Sequence, residues 1–183
     1  SDVALVYRSK ARPAQEAAKQ ASALGRKAST HAADVTDPDR LHAAIDEAIA
    51  EHGRIHSVVW GAGPLVNQRY LSETPMDEWR HAFDVEVHGL FTAIQLLVPH
   101  MRAMGGGSFV HLGSAGHDWW PARDGMSVAV KAANEQLMKG IAKEEGKHGI
   151  RANSVLVGVI DAGQMHALTA LGQLDAQWVE ETH

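Results

Sequence analysis

The stretch IHSVVWGAG, residues 55–63, is a short apolar run that ends in a glycine turn. Val58, Val59 and Trp60 suit a strand, and Gly61 and Gly63 suit a tight turn at its end. On its amino side lies DPDRLHAAIDEAIAEHG, residues 37–53, which has helical period. Asp37 is the expected cap, Pro38 suits a first turn, Leu41, Ile45 and Ile49 repeat on one face, and Gly53 ends the segment. On the carboxyl side a longer helix is expected, capped by Thr74, Pro75 and Asp77. It carries Trp79, Phe83, Val87, Leu90, Phe91, Ile94, Leu97, Val98 and Met101 at mostly three- or four-residue intervals. Such a wide stripe has room for both a sheet and another subunit.

The same bracketing repeats in both directions. Upstream, DVALVY (2–7) reads as a strand, RPAQEAAKQASALG (12–25) as a helix stopped by Gly25, and KASTHAADV (27–35) as a second strand. Downstream, GSFVHLGS (107–114) is a fourth strand, Ser127 to about Gly146 a helix, and RANSVLVG (151–158) a fifth strand. Strand and helix alternate throughout, so the expected class is α/β, a doubly wound parallel sheet. Right-handed crossovers put helices on both faces of such a sheet. No repeat, low-complexity tract or linker interrupts the pattern, and residues 1–183 read as a single domain.

Composition narrows the partners. At 183 residues, 45% hydrophobic and 21% charged, the chain can bury one sizeable core. A net charge of −5, with no basic run, argues against nucleic acid or an anionic membrane as partner. No apolar run approaches the roughly 20 residues needed to span a bilayer. The absence of cysteine excludes disulfides and thiolate metal sites and suits a reducing cytoplasm, the expected location. Histidines are plentiful, but His52 and His56 are split by Gly53, and His111 and His117 flank a strand-to-loop transition. Neither pair sets two ligands on one helix face, and no metal is assigned.

In parallel sheets, ligands bind beyond the carboxyl ends of the strands. Those places hold Arg8-Ser9, Asp34-Val35, Gly61-Ala62-Gly63, Ser114 and Gly158. AADVTD (32–37), VVWGAG (58–63), GSFVHLGSAG (107–116), a lysine 17 residues after Ser114, and HGIRANSVLVGVIDA (148–162) occur in that order. In order and spacing these resemble the short-chain dehydrogenase/reductase family, over almost the whole chain. The resemblance implies a Rossmann-like sheet whose first strand and phosphate-binding glycine turn precede Ser1, and whose last strand lies beyond His183. On that reading the sequence is an interior segment of a longer chain.

The resemblance also implies a nicotinamide cofactor and a small-molecule substrate. Arg8, with Ser9 and Lys10 and no acid beside it, implies pairing with a 2′-phosphate, hence NADP in preference to NAD; the plain reading is a solvated loop charge. Asp34 matches the adenine contact, with Val35 against the ring, or else simply starts a turn. Gly61, Ala62 and Gly63 bring backbone to a ribose, and Gly158 and Ile160 lie where the nicotinamide half belongs. Trp60 is either a cofactor neighbour or core.

The family's chemistry moves a hydride between nicotinamide and a carbonyl or alcohol carbon. Ser114 holds the position of the serine that steadies the substrate oxygen. Lys131, which has no acidic residue within three positions, holds that of the lysine that binds the ribose and lowers the pKa of a tyrosine. The tyrosine belongs four residues before the lysine, where Ser127 stands; the wider spacing of related enoyl reductases leads to Asp124. The only tyrosines, Tyr7 and Tyr70, lie elsewhere. The asparagine position on the long helix holds Glu86, the proline before the glycine is Val157, and the threonine that would meet the carboxamide is Ala162.

Glu86, His117 and Asp124 are thus the titratable groups near the expected cleft. Glu86 either donates a proton there or is solvated or paired with Lys131. Trp119, Trp120 and Met165 are candidates for an apolar substrate wall, or for packing under a loop or subunit. The long helix and the Lys131 helix match those through which family members form homodimers or homotetramers. Three functions remain open: an atypical NADP-dependent oxidoreductase acting on a carbonyl, alcohol or enoyl group, a non-catalytic nucleotide-binding or assembly subunit, and a lyase or dehalogenase-like relative that needs no hydride.

Overall fold

The computed structural model describes residues 1–174. Strand β1 (Val3–Tyr7) runs through helix α1 (Ala11–Ala23) into β2 (Ala28–Ala32), and the two strands pair in parallel, Val3 against Ala28 and Tyr7 against Ala32. Helix α2 (Pro38–His52) leads to β3 (Ser57–Trp60). Asp37 caps α2 as expected, accepting from the Asp39 and Arg40 N–H groups at 3.1 Å, and Gly53 closes it at a φ of 81° that other residues resist.

The remaining elements are α3 (Met76–Phe83), α4 (Gly89–Ala103), β4 (Gly107–Ser114), α5 (Gly116–Trp119), α6 (Gly125–Glu145), β5 (Ile150–Val157) and α7 (Gln164–Ala170). β3, β4 and β5 form a parallel ladder in that order. The tail stretch GQMHALTALGQLDAQWVEETH is helical at α7, and its residues 175–183 lie outside the described part.

The α/β class with parallel strands is as expected, and three details go beyond it. The five strands make two parallel sheets, β1-β2 and β3-β4-β5, because β1 and β3 share no hydrogen-bond ladder. Helix α2 ties them together: its Leu41 and Ile45 pack in one core with Trp60, Leu90, Phe109 and Ile150. Trp60, 7% exposed, is therefore core. The second lies in the long helix, which is broken between α3 and α4 by a π-helical turn, Asp84–His88. There the Gly89 N–H reaches back to the Asp84 carbonyl, and Glu86 is turned inward and buried. The expected cap at its start is also absent: the Thr74 hydroxyl donates instead to the Tyr70 carbonyl at 3.1 Å, and Pro75 takes the N-cap position without a side-chain bond.

Candidate active site

Parallel pairing in register brings the ends of β4 and β5 side by side, with Ser114 opposite Val157. Helix α6 packs on both strands and begins at Asp124, so its first two turns project beside Ser114. A cavity of about 300 Å³ results, lined by Ser114, Asp124, Ser127, Lys131, Gly158 and Ile160. Trp119, Met165 and Leu168 add apolar wall, so two of the three expected wall residues reach the cavity. Trp120 does not line it; it sits half-exposed with a left-handed φ of 33°. A larger open hollow of about 570 Å³ between α1 and β2, at Lys19, Ser29 and Glu51, contains none of the strand-end residues.

Ser114 Oγ accepts the Gly116 N–H at 3.0 Å, which leaves its hydroxyl hydrogen free to donate into the cavity. Lys131 Nζ donates to Glu86 Oε2 at 2.8 Å, and the two side chains are 17% and 6% exposed. Burial pushes the Glu86 carboxyl above its ordinary range, while the Lys131 charge and hydrogen bond pull it back. The pairing alternative for Glu86 is therefore the one realised. Gly63 makes that packing possible, since a Cβ there would run into Glu86 Oε1 and lie 3.8 Å from Lys131 Nζ.

The adenosine side of the expected site is placed apart from this cavity, at the ends of β1 and β2. Arg8 and Ser9 are exposed after β1. Asp34 Oδ1 accepts from the Thr36 N–H at 3.0 Å and hydroxyl at 2.7 Å, so it does start a turn. Those bonds, with Arg8 and His81 nearby, hold its carboxyl below the ordinary range. Val35 packs against the main core and directly under Gly89 at the head of α4. Gly61 is exposed beside Leu112, and Ala62 is partly buried against the core.

Some groups of this region carry no signal in the sequence. Gln68, in the irregular loop after β3, donates from Nε2 to Asp124 Oδ1 at 3.1 Å, and its own N–H donates to Gln173 Oε1 at 2.9 Å. Asn134 donates to the Glu86 carbonyl at 3.1 Å. His117 is held by Glu135 at 2.6 Å, with Lys139 on the other carboxylate oxygen, which makes it a brace on α6. The Gln68 contacts reach 56 and 105 positions along the chain, Asn134 to Glu86 spans 48 and His117 to Glu135 spans 18, and only the Lys139–Glu135 pair has helical spacing.

Comparison with known proteins places the chain in a family. The family profile described as Enoyl-(Acyl carrier protein) reductase matches residues 1–183. L-rhamnose 1-dehydrogenase (NAD(P)(+)) of Sphingomonas sp. (strain SKA58) is 32% identical over 161 residues, 87% of this chain and 63% of that protein. A short-chain type dehydrogenase/reductase from Mycobacterium ulcerans superposes with a TM-score of 0.87 at 27% identity, covering 98% of this chain and 64% of that one. A gluconate 5-dehydrogenase from Burkholderia cenocepacia J2315, solved with NADP and tartrate, gives 0.85 at 25% identity, covering 99% and 69%. The chain spans less than two thirds of the length of the curated relatives it matches, 63% and 59% in two cases. The chain belongs to the short-chain dehydrogenase/reductase family.

Proposed function

We propose that this chain carries the substrate-binding and most of the nucleotide-binding residues of an NADP(H)-dependent oxidoreductase acting on a carbonyl, alcohol or enoyl carbon of a small molecule. The observation that carries the reading is the convergence of Ser114, Ser127 and Lys131 on one cavity at the carboxyl ends of β4 and β5. Structural neighbours have been solved with NADP and with NADH, which supports a nicotinamide dinucleotide. Arg8, an exposed cation at the end of β1 with a planar fork suited to a phosphate, supports NADP.

The residues present fit a dinucleotide on one structural point in particular. At the end of β5 the backbone of Gly158 lines the cavity and has nothing within 4 Å of where a Cβ would stand. Arg8, Ser9, Asp34 and Val35 would hold the adenosine end, and Gly61, Ala62, Gly63, Lys131, Gly158 and Ile160 the nicotinamide half. A bound nicotinamide supplies or takes up the hydride. Ser114 donates its free hydroxyl hydrogen to the substrate oxygen, and Lys131, oriented by Glu86, offers its remaining N–H donors to ribose hydroxyls. Ser127 lines the cavity but is too weak an acid to exchange the proton as a phenol does. The wall of Trp119, Met165 and Leu168 suits an apolar flank on the substrate.

Titration of the full chain with NADPH and NADH tests the reading, and tighter binding of NADPH is expected. Failure to bind either nucleotide would overturn it. Ser127 at the tyrosine position favours a second reading, a nucleotide-binding subunit without turnover, in which bound NADPH is never consumed by any carbonyl compound. Homo-oligomerisation through the α3–α4 rod and α6, and a cytoplasmic location, belong to the same proposal.

A further inference from the structure

We propose that Asp124 is the proton-donating side chain of this site, acting in place of the phenol that Ser127 cannot supply. The inference rests on the oxidoreductase reading and deepens it. Three independent features of the structure point to Asp124.

The first is a hydrogen bond that is not made. Asp124 occupies the N-cap of α6, where an aspartate ordinarily accepts the N–H groups of the first turn, yet its side chain makes no such bond. It lines the cavity instead, with Ser114, Ser127 and Lys131. The second is its partner. Gln68 donates from Nε2 to Asp124 Oδ1 at 3.1 Å, and the Gln68 side-chain oxygen is buried without any donor among the described residues. An ionised carboxylate offers only acceptors, whereas a neutral carboxyl group carries the O–H donor that an amide oxygen lacks here. The third is burial, which pushes the Asp124 carboxyl above its ordinary range against the opposing pull of the Gln68 bond and the Lys131 charge.

The charged groups around it are Lys131 on its own helix, Glu86 behind Lys131, and Arg123 immediately before it in the chain. The Lys131 charge opposes retention of the Asp124 proton, and burial outweighs it.

In reduction, hydride from NADPH forms a C–H bond at the carbonyl carbon, and the C=O π electrons pass to oxygen. That oxygen takes the Asp124 proton, leaving alcohol, carboxylate and NADP⁺, and a solvent proton then restores the acid. In oxidation the carboxylate accepts the alcohol proton as hydride leaves. A positioned acid of this kind contributes roughly 10²–10⁴-fold.

The decisive experiment is Asp124→Asn in the full chain, alone and with Ser127→Tyr. Asparagine caps a helix as well as aspartate does, so the fold is kept. We expect kcat for carbonyl reduction to fall about 100-fold or more with NADPH binding changed less than about twofold, and Ser127→Tyr to restore turnover in that background. An Asp124→Asn enzyme within threefold of the parent kcat overturns the proposal, as does a parent that binds NADPH but never turns over. A second readout needs no cofactor: the infrared carbonyl band of a protonated carboxyl should persist in the apo chain above the ordinary aspartate range and vanish in Asp124→Asn. If no band is lost, the donor assignment fails by itself; if neither nucleotide binds, the oxidoreductase reading fails first.

Discussion

Lys131 and Glu86 are bound to one another across 2.8 Å, between α6 and the π-helical turn that separates α3 from α4. The two partners are unequal, because burial favours the neutral form of Glu86. Glu86→Leu should cost about 3–5 kcal/mol, the usual penalty for stranding a buried charge. Lys131→Met should cost less, and less again as pH falls, since burial favours a protonated Glu86. Denaturant unfolding of both variants across a pH series checks this, and equal losses throughout would refute it.

Asp124 and Glu86 set a slope on stability against pH. Both carboxyls are raised in the folded chain, from ordinary values of 3.8 and 4.5, so between those values and the folded ones the native state binds more protons than the unfolded state. Their contribution is complete below the ordinary values and is lost as pH rises through the folded ones. Asp124→Asn should flatten this decline. A midpoint-against-pH series that stays parallel to the parent's would contradict it.

His111 gives the opposite slope. It is wholly buried, its Nε2 has no partner among the described residues, and burial with Lys131 and His117 nearby lowers its pKa from 6.5 to about 4. The folded state holds it neutral, so stability is complete above 6.5 and is lost as pH falls towards 4, by roughly 3 kcal/mol in all. His111→Gln should remove most of that acid-side loss, as measured by urea unfolding at pH 7 and pH 4.5.

Gly63→Ala would place a methyl group against Glu86 Oε1. The carboxylate cannot yield without giving up Lys131, so a loss of about 1–3 kcal/mol is expected, with weaker nucleotide binding. Gly25→Ala, in a strained but open position, serves as the control: it should lower stability and leave nucleotide affinity unchanged.

Arg8→Asp replaces a phosphate partner by a ribose partner. NADPH affinity should drop about 10- to 100-fold, the worth of a charge-assisted contact, while NADH binding holds or improves. An unchanged ratio of the two dissociation constants would remove Arg8 from the cofactor site.

Much of this was legible in the sequence because it is local. The cap at Asp37, the stop at Gly53 and the bounds of β4 come from short-range pattern, while the places of Ser114, Ser127 and Lys131 come from the resemblance to the family. What escaped is non-local. The turn at Asp34 is local and is among the sequence alternatives, but Val35 reads only as a strand-end residue and the fold alone sets it under Gly89. Gln68 sits in an irregular loop, 56 residues from the carboxylate it bonds, and nothing periodic marks it. The missing pairing between β1 and β3 is likewise invisible locally, since each strand reads correctly on its own.

The π-helical turn has a consequence for what the rod from Met76 to Ala103 can do. Each α-helical residue advances about 100°, so one wide turn offsets the phase of everything after it by a comparable angle. Before it, Ala82 belongs to a small cluster with Met126 and Val130. After it, Leu90, Ala93, Leu97 and Met101 belong to the main core. The turn therefore acts as an inserted residue that lets one rod serve two cores in different phase. Deleting one residue from 84–88 would straighten the rod and force one of the two clusters to give up its face.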